Sequence, residues 1–133
     1  MREETTRPSI TLRIECTSVT PEEITRRLGV TPSIVHLKGE RMSQNNPLSV
    51  LYPTDLWLFE FEERETLNEL FTEVGNFFFD RETALLSFVN ECEIDLFCGF
   101  FPEDSQSSFW IDRESIRKIG RIPVDIIFDI YPA

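Results

Sequence analysis

His36 is the single histidine of the chain, and Glu40 follows it four residues later at the start of an irregular stretch. An imidazole within reach of a carboxylate could serve as a general base in a hydrolytic reaction, or could orient a small polar ligand. His36 lacks the company such chemistry needs. No serine occupies a nucleophile elbow, no HExxH or second ligand cluster exists, and the five glycines are scattered singly rather than gathered into a phosphate loop. Flanked by Val35 and Leu37, the histidine reads more simply as a structural or surface residue. A site built on His36 and Glu40 under residues 39–54 is kept as the alternative.

Other reactive groups are equally isolated. Cys16, Cys92 and Cys98 form no CxxC motif and leave one over under any pairing. Cys16 and Cys98 fall on the apolar side of their predicted strands, so the cysteines are expected to be small buried hydrophobes in a reducing compartment. Arg113, Arg117 and Arg121 lie four apart, a stripe that could bind an anion, but Glu114 interrupts it and cations near a helix C-terminus already complement its dipole. Acid pairs such as Glu62/Glu63 and Glu103/Asp104 belong to hydrated turns. No catalytic group, cofactor or metal is expected.

Charge narrows the partners. The net charge is −11, and it is unevenly spread: residues 1–41 hold six acids and seven bases, whereas the rest holds eighteen acids and six bases. Such a surface repels nucleic acid and anionic membrane and speeds encounter with a basic partner. Nothing in the first apolar residues looks like a signal peptide and no apolar run reaches membrane-spanning length, so a cytoplasmic protein is expected.

The elements that must position these residues follow from periodicity and punctuation. Residues 20–32 and 112–123 share a design: a capping side chain (Thr20; Asp112), a short helix with an inward apolar pair (Ile24 and Leu28; Ile116 and Ile119), a terminating glycine (Gly29; Gly120) and a proline (Pro32; Pro123). Residues 1–8 read as a frayed leader to one domain spanning residues 1–133. Alternation predicts strands over Ile10–Cys16, Ile34–Lys38, Asp55–Glu62, Ile94–Phe100 and Val124–Ile130. Helical spacing from Leu67 to Phe78 predicts an amphipathic helix broken near Asp80. Phe109–Ile111 is a candidate edge strand, Ser105–Ser108 a turn, and residues 39–54 a long irregular loop. The expected fold is α+β: a ferredoxin-like two-layer sandwich built from two related βαβ-type units, its helices mainly on one face of a mixed sheet.

If helices cover one face, the residues out of phase with the core line the other. They are Arg13, Glu15, Leu58, Glu60, Asp95, Phe97, Phe101, Ile127, Asp129 and Tyr131. Large apolar groups mixed with acids suit a partner surface better than a solvated one. Arg13, Phe97, Phe101, Ile127, Asp129 and Tyr131 are therefore the candidate interface. The competing expectation is that the middle helix or the 39–54 loop folds over part of it.

Several of these segments also resemble a known family. Leu12-Arg-Ile-Glu, the run from Thr20 to Pro32, and Lys38-Gly-Glu40 are similar to the N-terminal signature of domain-of-unknown-function family 4279. Trp57 with the alternating residues after it, Ile94-Asp-Leu-Phe-Cys-Gly-Phe100, Phe109, and Val124 to Tyr131 resemble its remainder. The resemblance spans residues 9–131. It implies a small bacterial protein of no established activity, some such proteins being suspected immunity proteins against toxins, and it brings no catalytic residues with it.

These observations converge on a non-enzymatic protein-binding or regulatory module, immunity-protein-like in its sharpest form, with a basic protein or a second copy as partner. The alternative is a small-ligand-binding or hydrolytic enzyme centred on His36.

Overall fold

Alternation puts Ile10, Leu12, Ile14 and Cys16 on one side of β1 (Ser9–Cys16), all buried, with Thr11, Arg13 and Glu15 on the other. The computed structural model describes residues 7–102 and 108–131. Thr20 accepts the Glu23 amide at 3.2 Å and opens α1 (Pro21–Leu28), which ends at Gly29 in the left-handed region, φ 74°. Glu23 does not complete a capping box; its carboxylate turns instead to Arg26 and Arg27. The chain continues through β2 (Ile34–His36), the 39–54 excursion and β3 (Asp55–Glu60). Then come α2 (Leu67–Asp80), opened by a complete Thr66/Glu69 capping box, and α3 (Glu82–Leu86), separated by the expected break. β4 (Cys92–Phe100), α4 (Arg113–Ile119) and β5 (Asp125–Ile130) follow.

The strands form one mixed sheet in the order β2-β3-β1-β4-β5, antiparallel except between β4 and β5. The fold is α+β. Helix residues Ile24, Leu70, Phe71, Val74, Phe78 and Ile119 share a core with the in-phase residues of β1, β3 and β4. Trp57 is fully buried there, its indole N–H donating to Thr25 Oγ1 at 3.0 Å.

The two capped helices are less alike than their sequences. β4 and β5, joined through α4, are neighbouring parallel strands, whereas β1 and β2 are separated by β3. Ile116, expected inward, is 55% exposed; Ser115 takes its place, its Cα only 3.2 Å from where a Cβ on Gly75 would stand. That close approach of α4 to α2 rotates the helix by a residue. Asp112 makes no capping bond, and one of its carboxylate oxygens is buried without a partner. Gly120 is right-handed, φ −67°, so it ends the helix without the conformation glycine alone favours.

Three further expectations are corrected. Phe109–Ile111 is not a strand; Phe109 instead lies against Phe100 and Phe128, centroids 4.8 and 5.2 Å away. Cys16 and Cys92, read as unpaired, stand opposite each other across β1 and β4, Cα atoms 4.4 Å apart, and form a disulfide; Cys98 is the free, buried thiol. Alternation gave Cys16 and Cys98 their face, but Cys92 precedes the strand predicted there, and no cross-strand neighbour was specified. Pro8, placed in the leader, is buried; the rest of that leader up to residue 6 lies outside the described residues, as does the Ser105–Ser107 part of the turn.

Candidate functional site

The sheet face away from the core carries the residues that alternation assigned to it. The ladders set them in rows: Arg13 lies between Leu58 and Asp95, and Asp95 stands beside Asp125. In the next row Thr11, Phe97 and Ile127 are neighbours. Arg13 donates to both carboxylate oxygens of Asp95, at 2.7 and 3.1 Å, and its guanidinium sits 4.8 Å above the Phe97 ring. Paired charge and ring together fix the arginine flat against the sheet.

At one end, Phe101 and Tyr131 stack with centroids 4.6 Å apart and planes within 9°. They meet over Gly99, where a Cβ would lie within 4.0 Å of both rings and 2.9 Å from Ser9 Oγ. The Tyr131 hydroxyl donates to Asp129, and that bond, reinforced by the aspartate's charge, holds the phenol above its ordinary range. All six candidate interface residues thus share one face.

The opposite end is more acidic and partly roofed. Glu15 and Glu93 are direct cross-strand partners, like charges that repel unless something cationic or a donor intervenes. Thr54 supplies one donor to Glu15 at 2.7 Å. The 39–54 excursion is a hairpin-like arm tied by Gly39 to Tyr52, Tyr52 to Glu40 and Met42 to Val50 backbone bonds. Between its base and the sheet lies a cavity of about 240 Å³, lined by Arg13, Glu15, Tyr52, Thr54, Glu93 and Asp95 among others. The arm's outer side is bare: Leu48 is 91% exposed.

His36 lies on the same face, opposite Leu56, and stacks on Tyr52 with centroids 4.4 Å apart. Glu40 accepts the Leu37 amide at 2.9 Å, bracing the turn that opens the arm. Neither residue lines the cavity, and no hydrogen bond joins them among the described residues. Arg117 and Arg121, from the basic stripe, are paired with Glu114 and Glu82. Among the described residues no group of three or more His, Cys, Asp or Glu is placed to hold a metal ion, and no helix is long and apolar enough to cross a membrane.

Sequence reasoning missed Glu93, Asp125 and Tyr52. Glu93 escaped because β4 begins at Cys92, two residues before the strand predicted there. Tyr52 reaches the face only through the fold of the arm, for which the sequence carries no periodic signal. The face sets the carboxylates of Glu15, Glu93, Asp95 and Asp125 beside the apolar Phe97, Ile127 and the Phe101–Tyr131 stack.

The whole of this architecture lies within one family: the chain matches Domain of unknown function (DUF4279) over residues 3–133 and belongs to it. No match came from the curated proteins or from the solved structures.

Proposed function

We propose that this protein is a non-enzymatic binding module that presents its open sheet face to a basic protein partner. The observation that carries this is a face with Glu15, Glu93, Asp95, Asp125 and Asp129 where Arg13 is already paired to Asp95. A lysine or arginine from a partner would relieve the Glu15/Glu93 repulsion, while Phe97, Ile127, Phe101 and Tyr131 supply apolar area beside it. An inhibitor that blocks a basic toxin is the sharpest form of this reading. As architecture, the ferredoxin-like interpretation is supported by the order β2-β3-β1-β4 with all neighbours antiparallel, β5 being an addition.

Selection of displayed random peptides on the wild-type protein tests it. Lysine- and arginine-rich sequences that bind in low salt and lose binding to a Glu15→Gln, Glu93→Gln variant are expected. Selected peptides without basic residues, or unaffected by that variant, would remove the proposal.

The alternative, a small-ligand or hydrolytic site beside His36, is favoured by one observation, the cavity under Tyr52. It would accept an amine-bearing molecule more readily than an anion, since its lining holds three carboxylates against one arginine.

A further inference from the structure

β5 closes one side of the sheet and, among the described residues, pairs only with β4. The Tyr131 amide donates to the Phe100 carbonyl at 2.9 Å, so odd-numbered residues along this strand turn their N–H and C=O groups inward to β4. Ile126, Phe128 and Ile130 turn theirs outward, where no described residue bonds them. Edge strands are ordinarily blunted by charged side chains, lysine above all, by proline or by a bulge. Asp125-Ile-Ile-Phe-Asp-Ile130 has no lysine and no proline, its two charges are the aspartates of the open face, and Ile130 is 54% exposed. An apolar cavity of about 340 Å³ opens between α4 and the start of the strand, walled by Ile116, Ile119, Ile122, Val124 and Ile126.

We propose that this edge pairs antiparallel with the same edge of a second copy, about a twofold axis normal to the sheet, so that one sheet runs through both chains. Charge selects the register. Centring the axis on Phe128 sets Ile126 opposite Ile130 of the second copy, Ile127 opposite Asp129, and Asp125 opposite Tyr131. No two carboxylates are directly opposed. Centring it on Ile127 would oppose Asp125 to Asp129, and centring it on Asp129 would put two aspartates on the axis, both unfavourable.

The Phe128 register also brings the outward backbone groups of Ile126, Phe128 and Ile130 into line for about six interchain hydrogen bonds. Side chains then explain why the occupant is a second copy. Opposite Ile126, which walls the apolar cavity, the register places the exposed Ile130 of the other chain, on the same side of the sheet. Symmetry repeats that contact, so the strand carries both the knob and the wall of its hole. The pairing leaves Glu15, Glu93 and Asp95 uncovered, and it does not depend on the proposed basic partner.

Light scattering on the full chain tests it at about 100 μM, where a micromolar dimer is mostly associated. The expected mass is that of two chains. Ile130→Lys and Ile130→Pro should each return the mass of one chain and melt like wild-type protein diluted below the dimer range, since no described residue within the sheet bonds the Ile130 amide. In the wild type, amide exchange at Ile126, Phe128 and Ile130 should slow by roughly tenfold or more between dilute and concentrated samples. A one-chain mass at this concentration overturns the proposal, as does a dimer that survives both Ile130 variants. A dimer lost in Phe97→Glu but kept in the Ile130 variants also overturns it and moves the interface to the open face.

Discussion

Arg13 and Asp95 meet at two points across the β1–β4 ladder, and the arginine's remaining surface is spent on the Phe97 ring. The face therefore holds its cation internally and shows its acids outward. Arg13→Ala should cost about 1 kcal/mol or less in chemical denaturation, because the two side chains are 33% and 27% exposed and water screens them. The same change frees Asp95, so binding of a basic peptide should strengthen. A weaker complex would mean that Arg13 itself contacts the partner.

Thr20 and Asp112 occupy matching places in sequence but not in energy. Thr20→Ala should lower stability by about 1 kcal/mol through loss of the bond to the Glu23 amide. Asp112→Ala should cost about 0.5 kcal/mol or less, since no cap bond is lost and a buried oxygen without a partner is removed. Equal midpoint shifts for the two variants would contradict the difference in capping.

The cysteines should respond unequally. Replacing Cys16 and Cys92 together by alanine is expected to cost about 2–4 kcal/mol, because the bond closes a long loop in the unfolded chain, its ends being 76 residues apart. Cys98 should resist iodoacetamide in the folded protein and label fully after unfolding. Burial, with a smaller contribution from Asp95, pushes its thiol up to about 12, so little thiolate exists at about pH 8. Native-state labelling of Cys98 would show that this strand opens.

Glu23 connects charge to pH. Hydrogen bonds from Arg26 and Arg27 hold its carboxyl down at about 2, against an ordinary value of 4.5. A lowered carboxylate favours the folded state above its ordinary value, and that contribution disappears as pH falls through about 2. An NMR titration of the Glu23 side chain should give a midpoint near 2, rising in Arg26→Ala and in Arg27→Ala. A midpoint unmoved by either replacement would dissolve the pairing.

His36→Gln should leave the fold and the basic-peptide complex nearly unchanged, losing only the stack on Tyr52. Should a hydrolytic activity be found, a fall of about 10²-fold or more in this variant would instead make His36 a catalytic base.

Much of this was legible because alternation and helical spacing are read locally. Arg13, Phe97, Phe101, Ile127, Asp129 and Tyr131 came to one face since parity along each strand needs no knowledge of its neighbours. Ile116 was misplaced because packing of Ser115 on Gly75 outweighs the hydrophobic pattern of so short a helix. Glu93 and Tyr52 were missed because a strand start and a folded arm depend on long-range pairing. The Cys16–Cys92 bond belongs to the same class: strand partners, unlike strand faces, are not written in one segment.

That bond has a bearing on parity. In a two-period strand, sliding β4 by one residue against β1 would send Leu96 and Cys98 outward and carry Asp95 and Phe97 into the core. Cys16 and Cys92 are the terminal pair of this ladder. Joined, they act as a pin through both strands, so the pairing that separates the acidic face from the core cannot slip without breaking a covalent bond.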